Sequence, residues 1–329
     1  MLLNHKNILA AVLLASLFAT PSCKKEDSDV APSISSIAVT NADFSTLEGA
    51  AIQGGVAGVL SNPNPGDPSG DYTVFAPNNA AFSRLGLNSD SDLSVLNDAF
   101  LTNTLLYHVS NGNLAGSSIV NGGTSGSALG PIRRFIKKGN DLYINGSKIL
   151  ATNVMAENGT VHVVDKVLLA TGVDIVQSAL ALSGAKVFNT PELSFLVEAV
   201  LYADLAGALT AAAGSPSFTV FAPTDAAFRQ LGIDLGVALD VPADIRKLPK
   251  ETVAAVLLNH VIADGGKFTP EMNSGAIKPL GGVDLTFGDF NNGTITIKGK
   301  GNSVPANMVI PDVLTVNGIV HVIDRVLLP

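Results

Sequence analysis

TVFAPNNAAFSRLGL, Thr73 to Leu87, returns as TVFAPTDAAFRQLGI, Thr219 to Ile233, with ten of fifteen positions identical. A match of this length inside one chain marks a duplicated folding unit. Each copy reads as strand, stop and helix. Thr73, Val74 and Phe75, or Thr219, Val220 and Phe221, are β-branched or aromatic and suit a pleated, buried surface. Pro77 or Pro223 has no N–H to give to a ladder and ends the strand. Asn79 or Asp225 is placed to cap the helix that follows, and Phe82 with Leu85, or Phe228 with Leu231, falls on one face of it.

Working outward, a second pair closes each unit: NGTVHVVDKVLL, Asn158 to Leu169, and NGIVHVIDRVLL, Asn317 to Leu328, agree at nine of twelve positions. Asn-Gly is a strong turn dipeptide, and each copy feeds a strand apolar on both faces, as a central strand is. Between the motifs lie a helix ending in LLYHV (Leu105 to Val109) or LLNHV (Leu257 to Val261) and short strands such as Asp141 to Ile144 and Thr294 to Lys298. Helices early and strands late predict an α+β fold for each copy. The boundary is expected near Ala170 to Val173, which gives domains over 33–170 and 173–329. A helix of the second domain is predicted to open at Thr190 with Pro191 in its first turn and Leu193, Leu196, Val197 and Val200 on one face. The corresponding stretch of the first, Phe44 to Leu60, is broken by glycine and serine and predicts a looser helix.

The chain of 329 residues is 47% hydrophobic with a formal charge of -8, enough apolar content for two cores. Its densest basic cluster, Arg133, Arg134, Lys137 and Lys138, surrounds Phe135 and Ile136 and reads as a solvated strand edge. The acidic balance, with no basic cluster denser than that one, leaves no phosphate-binding surface and excludes nucleic acid as a partner. The single cysteine, Cys23, excludes a disulfide framework. Residues 1–22 read as a secretory signal, with Lys6 as the positive flank, small residues at Ala19 to Ser22, and an apolar run, Ile8 to Phe18, too short to span a bilayer.

A leader ending at cysteine is similar to a bacterial lipoprotein signal, in which the thiol receives a diacylglycerol, although Thr20 stands where leucine is usual. Lipidation at Cys23 and a charged tether over 23–32 follow from that likeness. The alternative is cleavage near Ala19 with Cys23 left as a free thiol. The tract Lys24 to Asp29 resembles the one by which Bacteroidetes lipoproteins reach the outer face of the outer membrane. It implies a lipid-anchored protein of the cell outer membrane facing outside, against a periplasmic or secreted alternative.

Taken together, TVFAPxxxAF, a Tyr-His pair on a later helix and NGxVHVxDxVL resemble the fasciclin domain, twice and in the same order, across Ser33 to Pro329. The resemblance implies two tandem domains, each a β-wedge of about seven strands with several helices. It also implies a secreted or surface-anchored adhesion module with neither catalytic activity nor cofactor. Two family sites map onto this chain. The Tyr-His pair falls on Tyr107 and His108, with Asn259 before His260 in the second copy. A Pro-Asp-Ile-Met type motif falls on Pro311, Asp312, Val313 and Leu314, against Thr152, Asn153, Val154 and Met155 in the first. The resemblance thus makes Tyr107, His108, Asp312, Val313 and Leu314 candidate adhesion contacts.

The residues themselves give no competing chemistry. The chain has no Gly-rich phosphate loop, no His-Glu-x-x-His helix and no Gly-x-Ser-x-Gly elbow, so no cofactor or metal is expected. His162 and Asp165, like His321 and Asp324, lie three apart on a strand and face opposite sides, which precludes a local dyad. His108 and His260 continue the apolar spacing of Leu101 and Leu105, or Val253 and Leu257, and read as buried rings held by hydrogen bonds. The expected function is a non-catalytic surface module contacting an extracellular protein or polysaccharide. A glycan-binding lipoprotein is the alternative, with Tyr143 and Tyr202 as stacking platforms in a chain without tryptophan, and catalysis by the repeat histidines the remote one.

Overall fold

The computed structural model describes residues 31–94, 96–184, 193–210 and 217–329. The leader, Cys23, the tether up to residue 30 and the helix start at Thr190 and Pro191 lie outside the described residues. The first copy opens with helices α1 (Ile34–Thr40) and α2 (Ser45–Gln53), then strand β1 (Tyr72–Pro77) and helices α3 (Asn79–Ser83), α4 (Asp90–Leu93) and α5 (Asp98–His108). Strands β2 (Val109–Asn111), β3 (Thr124–Gly126), β4 (Ile132–Lys138), β5 (Asp141–Ile144), β6 (Ser147–Ala156) and β7 (Gly159–Val164) follow. All seven strands form one sheet in the order β2-β1-β7-β6-β5-β4-β3. The opening and closing motifs therefore meet: β1 pairs with β7 in parallel, Phe75 opposite His162. Central placement is why β1 is buried at every position and why neither motif alternates apolar with polar.

The first copy ends in a two-residue strand, β8 (Leu169–Ala170), and the second opens with α6 (Ile175–Gly184), α7 (Ser194–Tyr202) and α8 (Ala206–Leu209). It continues with β9 (Phe218–Pro223), α9 (Asp225–Leu235), α10 (Lys250–Leu258), β10 (Val261–Ile262), β11 (Gly275–Ile277), β12 (Leu285–Phe287), β13 (Ile297–Lys298), β14 (Met308–Thr315) and β15 (Gly318–Ile323). Here the strands divide into two sheets, β10-β9-β15-β14-β8 and β11-β12-β13. Strands β9 and β15 repeat the parallel central pair in the same register, Phe221 opposite His321. Strand β8 runs on from the closing motif of the first copy and pairs in parallel with β14, Leu169 opposite Val313. One apolar cluster extends from Phe82, Leu101 and Leu105 through Val167 and Leu169 to Phe195, Phe228 and Val320. The two α+β wedges thus share a sheet edge and a core.

The expected caps shift by one residue. Asn78 and Thr224 cap α3 and α9, each accepting from the amide three positions on. Asn79 and Asp225 instead close the N-terminus of an earlier helix, where amides lack intrahelical partners. Asn79 Oδ1 accepts from Thr46 N at 3.0 Å in α2, and Asp225 Oδ1 accepts from Phe195 N at 2.9 Å in α7.

The Asn-Gly pair of the closing motif also has a long-range task. Asn158 Oδ1 accepts from Ile34 N at 2.9 Å and its amide donates to Leu60 O at 2.8 Å, while Asn317 holds Ile175 N at 3.0 Å and Leu209 O at 2.8 Å. Each asparagine fastens the first helix of its copy to the central sheet. The glycine beside it admits the parallel neighbour, because a Cβ on Gly159 would lie 2.0 Å from Tyr72 O and one on Gly318 2.4 Å from Phe218 O.

Candidate functional site

The four repeat histidines are buried, each between 0% and 2% exposed, and each spends both ring nitrogens on backbone. His108 Nδ1 donates to Thr104 O at 2.7 Å and its Nε2 accepts from Leu168 N at 2.9 Å. His260 repeats this with Val256 O at 2.7 Å and Leu327 N at 2.8 Å. His162 donates from Nε2 to Leu114 O at 2.9 Å and accepts at Nδ1 from Asn153 N, and His321 does the same with Lys267 O and Asp312 N. All four rings are neutral staples between distant backbone segments. Burial pushes the pKa of His108 and of His260 down to about 4, and burial lowers those of His162 and His321 as well. The buried-ring reading of His108 and His260 holds.

The first-copy motif residue Tyr107 is fully enclosed. Asn145, at the tip of the β5–β6 hairpin, donates to its hydroxyl at 2.8 Å, and burial raises its pKa to about 12. The second-copy equivalent, Asn259, is equally buried, and neither atom of its amide finds a partner among the described residues. Arg133 lies against Tyr107, at 0% exposure. Its guanidinium donates to Tyr107 O at 2.7 Å, Ser125 Oγ at 2.9 Å and Gly126 O at 2.7 Å and stands 5.0 Å above the Phe75 ring. Burial lowers its pKa to about 10, so it stays charged at neutral pH.

Within the basic cluster only Lys137 is exposed in the way a solvated edge would be; Arg133, Arg134 and Lys138 are not. Beyond Arg133, the cluster reaches into the second copy. Arg134 pairs with Glu271 and donates to Gly266 O at 2.7 Å, and Lys138 donates to Pro270 O at 3.0 Å and Met272 O at 2.6 Å. Further along the same seam Arg84 donates to Asn292 O at 3.1 Å. At each of these bonds the first copy supplies the cation and the second the acceptor.

At the centre of the seam lies an ion pair that crosses it. Lys166 Nζ donates to Asp312 Oδ2 at 2.6 Å and Gly293 O at 2.7 Å, and Asp312 Oδ1 accepts from Thr269 N at 2.7 Å. The two residues are 6% and 8% exposed. Burial alone would raise the Asp312 pKa, but the charge of Lys166 and the hydrogen bonds outweigh it and hold the carboxyl below its usual range. The nearest carboxylate to His321 is this one, 3.9 Å from Nδ1, rather than Asp324. Gly146 presses on the same carboxylate: a Cβ there would lie 1.8 Å from Asp312 Oδ2.

The candidate contacts Tyr107 and Asp312 are thus brought to opposite sides of one hairpin tip, Asn145–Gly146. As folded, Tyr107, His108, Asp312 and Val313 offer no surface to a partner, because each is buried, and Leu314 is half-buried. This corrects the expectation that they touch a ligand directly. The Asn-for-Asp exchange between copies has a local reason. Asn153 and Asp312 both take a left-handed backbone, at φ 61° and 68°, and both hold a loop amide, Gly116 N or Thr269 N, at 2.7 Å. Only the second faces a cation, and only it is acidic. That exchange was the one sign of Lys166 available in the sequence.

Several concavities open among the described residues, one of about 100 Å³ beside Phe100, Leu169 and Val313. Each copy has a small apolar cleft between its first helices and its central strand, about 50 Å³ beside Leu47 and Leu105 and about 80 Å³ beside Leu196 and Leu257. Between the copies, beside the ion pair, runs a larger polar groove of about 410 Å³. Asp141, Tyr143 and Lys148 of the first copy face Phe290, Asn291 and Asn292 of the second across it. Tyr202, the other expected platform, lies elsewhere and donates its hydroxyl to Leu248 O at 3.1 Å. Among the described residues no three His, Cys, Asp or Glu side chains converge as a metal site, and no helix is long and apolar enough to cross a membrane.

Comparison with known proteins adds the lineage. The sequence model of the fasciclin domain matches residues 42–170 and 191–329. Human periostin is 27% identical over 266 residues, 79% of this chain and 28% of periostin. The cell surface glycolipoprotein MPB83 of Mycobacterium bovis is 37% identical over 101 residues, 30% of this chain and 44% of that protein. The chain therefore spans less than half of either relative. Among solved structures, a domain pair from the insect cell adhesion molecule Fasciclin I aligns over 79% of this chain and 89% of its own, with a TM-score of 0.37 and 19% identity.

Proposed function

Because the chain belongs to the fasciclin family, with one domain matched in each half, we propose that it is a non-catalytic adhesion module of the cell surface, contacting an extracellular polymer. The observation that carries this reading is the double family match. The buried seam supports it: a sheet edge, a core and an ion pair shared between the copies favour one rigid body that bears load without a hinge. The bonding of the histidines agrees, since each ring has both nitrogens committed to backbone and neither is left for proton transfer or metal ligation.

The anchor is part of the proposal. Cys23 carries the lipid, the charged tether over 23–32 spaces the domain pair from the outer membrane, and the pair faces outside. The kinship with a protein named a cell surface glycolipoprotein supports this. Metabolic labelling with a palmitate analogue is expected to mark the chain and to be lost in Cys23→Ser. Protease treatment of intact cells is expected to remove the domain pair. Cells bearing the protein should attach to surfaces coated with extracellular polymer, and cells with the gene deleted should not. Equal attachment by both would dispose of the adhesion reading.

A further inference from the structure

The two small apolar clefts occupy matching places in the two copies. Asn158 holds Ile34 N at the start of α1 as Asn317 holds Ile175 N at the start of α6, so the two helices align from those residues. Over the seven positions of α1, ISSIAVT against IVQSALA, the copies agree only at Ile34 with Ile175 and at Ala38 with Ala179. Both pairs line the clefts. The alanines are half-buried in each copy, and a longer side chain there would enter the space. An unfilled apolar void costs stability in proportion to its volume, and one substitution would remove it. The rest of the helix has drifted since the duplication, while the residues that keep the cleft open are the same twice.

The lining restricts what can enter. No charged side chain lines either cleft among the described residues. The polar side chains that do are already bonded: His108 and His260 spend both ring nitrogens on backbone, and Ser35 Oγ donates to Ala57 O at 2.7 Å. A polar or charged group would lose its hydration there and gain no partner. An alkyl group loses nothing, and dry apolar cavities take up apolar molecules. The volumes, about 50 and 80 Å³, admit a few carbons and no bulky ring system. The lip carries the contact outward. Leu180 and Leu201 border the second cleft at 43% and 54% exposure. The matching positions on α1 and α2 of the first copy, Val39 and Ile52, are again aliphatic and are 60% and 64% exposed. Exposed aliphatic side chains at the same positions beside both clefts suit a chain whose end is inserted and whose next carbons lie on the lip.

We infer that each cleft binds the end of a linear alkyl chain, the tail of a single-chain lipid whose head stays in water. The head is uncharged, because no cation lines either cleft to pair with a carboxylate or a phosphate. Such binding goes beyond the adhesion reading and does not depend on it.

Calorimetric titration of the full chain with 1-hexanol, 1-octanol, 1-decanol and monodecanoylglycerol, each below the concentration at which it aggregates, tests it. Saturable binding at one site in each copy is expected, with Kd on the order of 0.1 to 1 mM for the longer chains. Affinity should rise about fourfold per added methylene until the cleft is full. Ala38→Leu fills the first cleft and Ala179→Leu the second, so each should remove one site and the double variant both. A melting temperature at or above that of the wild type shows that the fold is intact. If a filling variant does not fold, Ile52→Ser and Leu201→Ser at the exposed lip decide instead, with affinity at the altered site expected to fall about threefold or more. No saturable binding, affinity indifferent to chain length, or both sites surviving in the double variant overturns the inference. Flotation with phosphatidylcholine vesicles separates a membrane surface from a free chain. Vesicle binding without alkanol binding, unchanged in the filled variants, assigns the lip to a lipid surface and overturns the clefts as sites.

Discussion

A histidine that donates from one nitrogen to a carbonyl and accepts at the other from an amide can take a second proton only by breaking the accepting bond and charging the core. That holds at His108, His162, His260 and His321, and it makes the protein acid-sensitive in a definite window. In the unfolded chain histidine binds a proton near pH 6.5, whereas His108 and His260 resist to about 4. Between those values the unfolded state holds more protons, so stability is full above pH 6.5 and declines as the pH falls toward 4. Each group contributes up to about 1.4 kcal/mol per pH unit within the window. Asp312, with its depressed pKa, adds a loss only below about pH 4, where its unfolded counterpart protonates. Urea unfolding at steps from pH 8 to 4 should show a flat plateau followed by this decline, and a plateau persisting to pH 4.5 would contradict the bonding pattern. Spacing against leucine and valine was enough to place His108 and His260 in the core. The carbonyls that hold His162 and His321, on Leu114 and Lys267, lie 48 and 54 residues away, and no local pattern announces a bond across that distance.

Among elements, the Asn-Gly pair shows what local reading gains and misses. It marks a turn before a strand, and the turn is there, Ala156 pairing with Gly159 and Thr315 with Gly318. The tasks that single out these two residue types are nonlocal, since the asparagine fastens α1 or α6 and the glycine lets β1 or β9 approach. Substitutions separate the two tasks. Asn158→Ala and Asn317→Ala should each cost about 1–3 kcal/mol, because the partners left behind are buried amides and carbonyls. Gly318→Ala should cost more than about 3 kcal/mol, since its Cβ would meet the Phe218 carbonyl, a backbone atom that cannot step aside without parting the central strands. A Cβ at Gly58 would meet nothing within 4 Å, so Gly58→Ala should be neutral or slightly stabilising. Equilibrium denaturation of the four variants gives the order directly, and a Gly318→Ala as stable as Gly58→Ala would mean that the strands do not lie this close. The same limit explains the shifted caps: Asn79 and Asp225 were legible as helix-start residues, but which helix they start depends on packing between elements far apart in the chain.

At the scale of the whole molecule, the duplicated motifs disclosed two α+β domains, while the way they join stayed hidden. Arg133, Arg134 and Lys138 look like solvent-facing charges because the strand that carries them is short and basic; the acceptors of Arg133 come from the neighbouring strand and the end of α5, and those of Arg134 and Lys138 lie in the other copy. Asp312 looks like a contact residue for the same reason, with its cation 146 residues upstream. The ion pair gives the junction a sharp test. Removing one partner from a buried pair strands the other charge, which typically costs about 3–5 kcal/mol, whereas removing both can be nearly neutral. Lys166→Met leaves the Asp312 carboxylate without its cation. Asp312→Asn, which installs the residue that the first copy carries as Asn153, keeps an acceptor for Thr269 N and leaves the ammonium unpaired. Each single variant should therefore lose several kcal/mol, whereas the double variant should regain most of the loss, a coupling that a double-mutant cycle reads directly. Small-angle scattering supplies the second readout, because the carboxylate and the ammonium sit in the seam and not within either core. The single variants should expand or populate open arrangements of the two copies, and the double variant should be as compact as the wild type. Additive losses with unchanged scattering would mean that the shared core and the β8–β14 pairing hold the copies together without help from the charge pair.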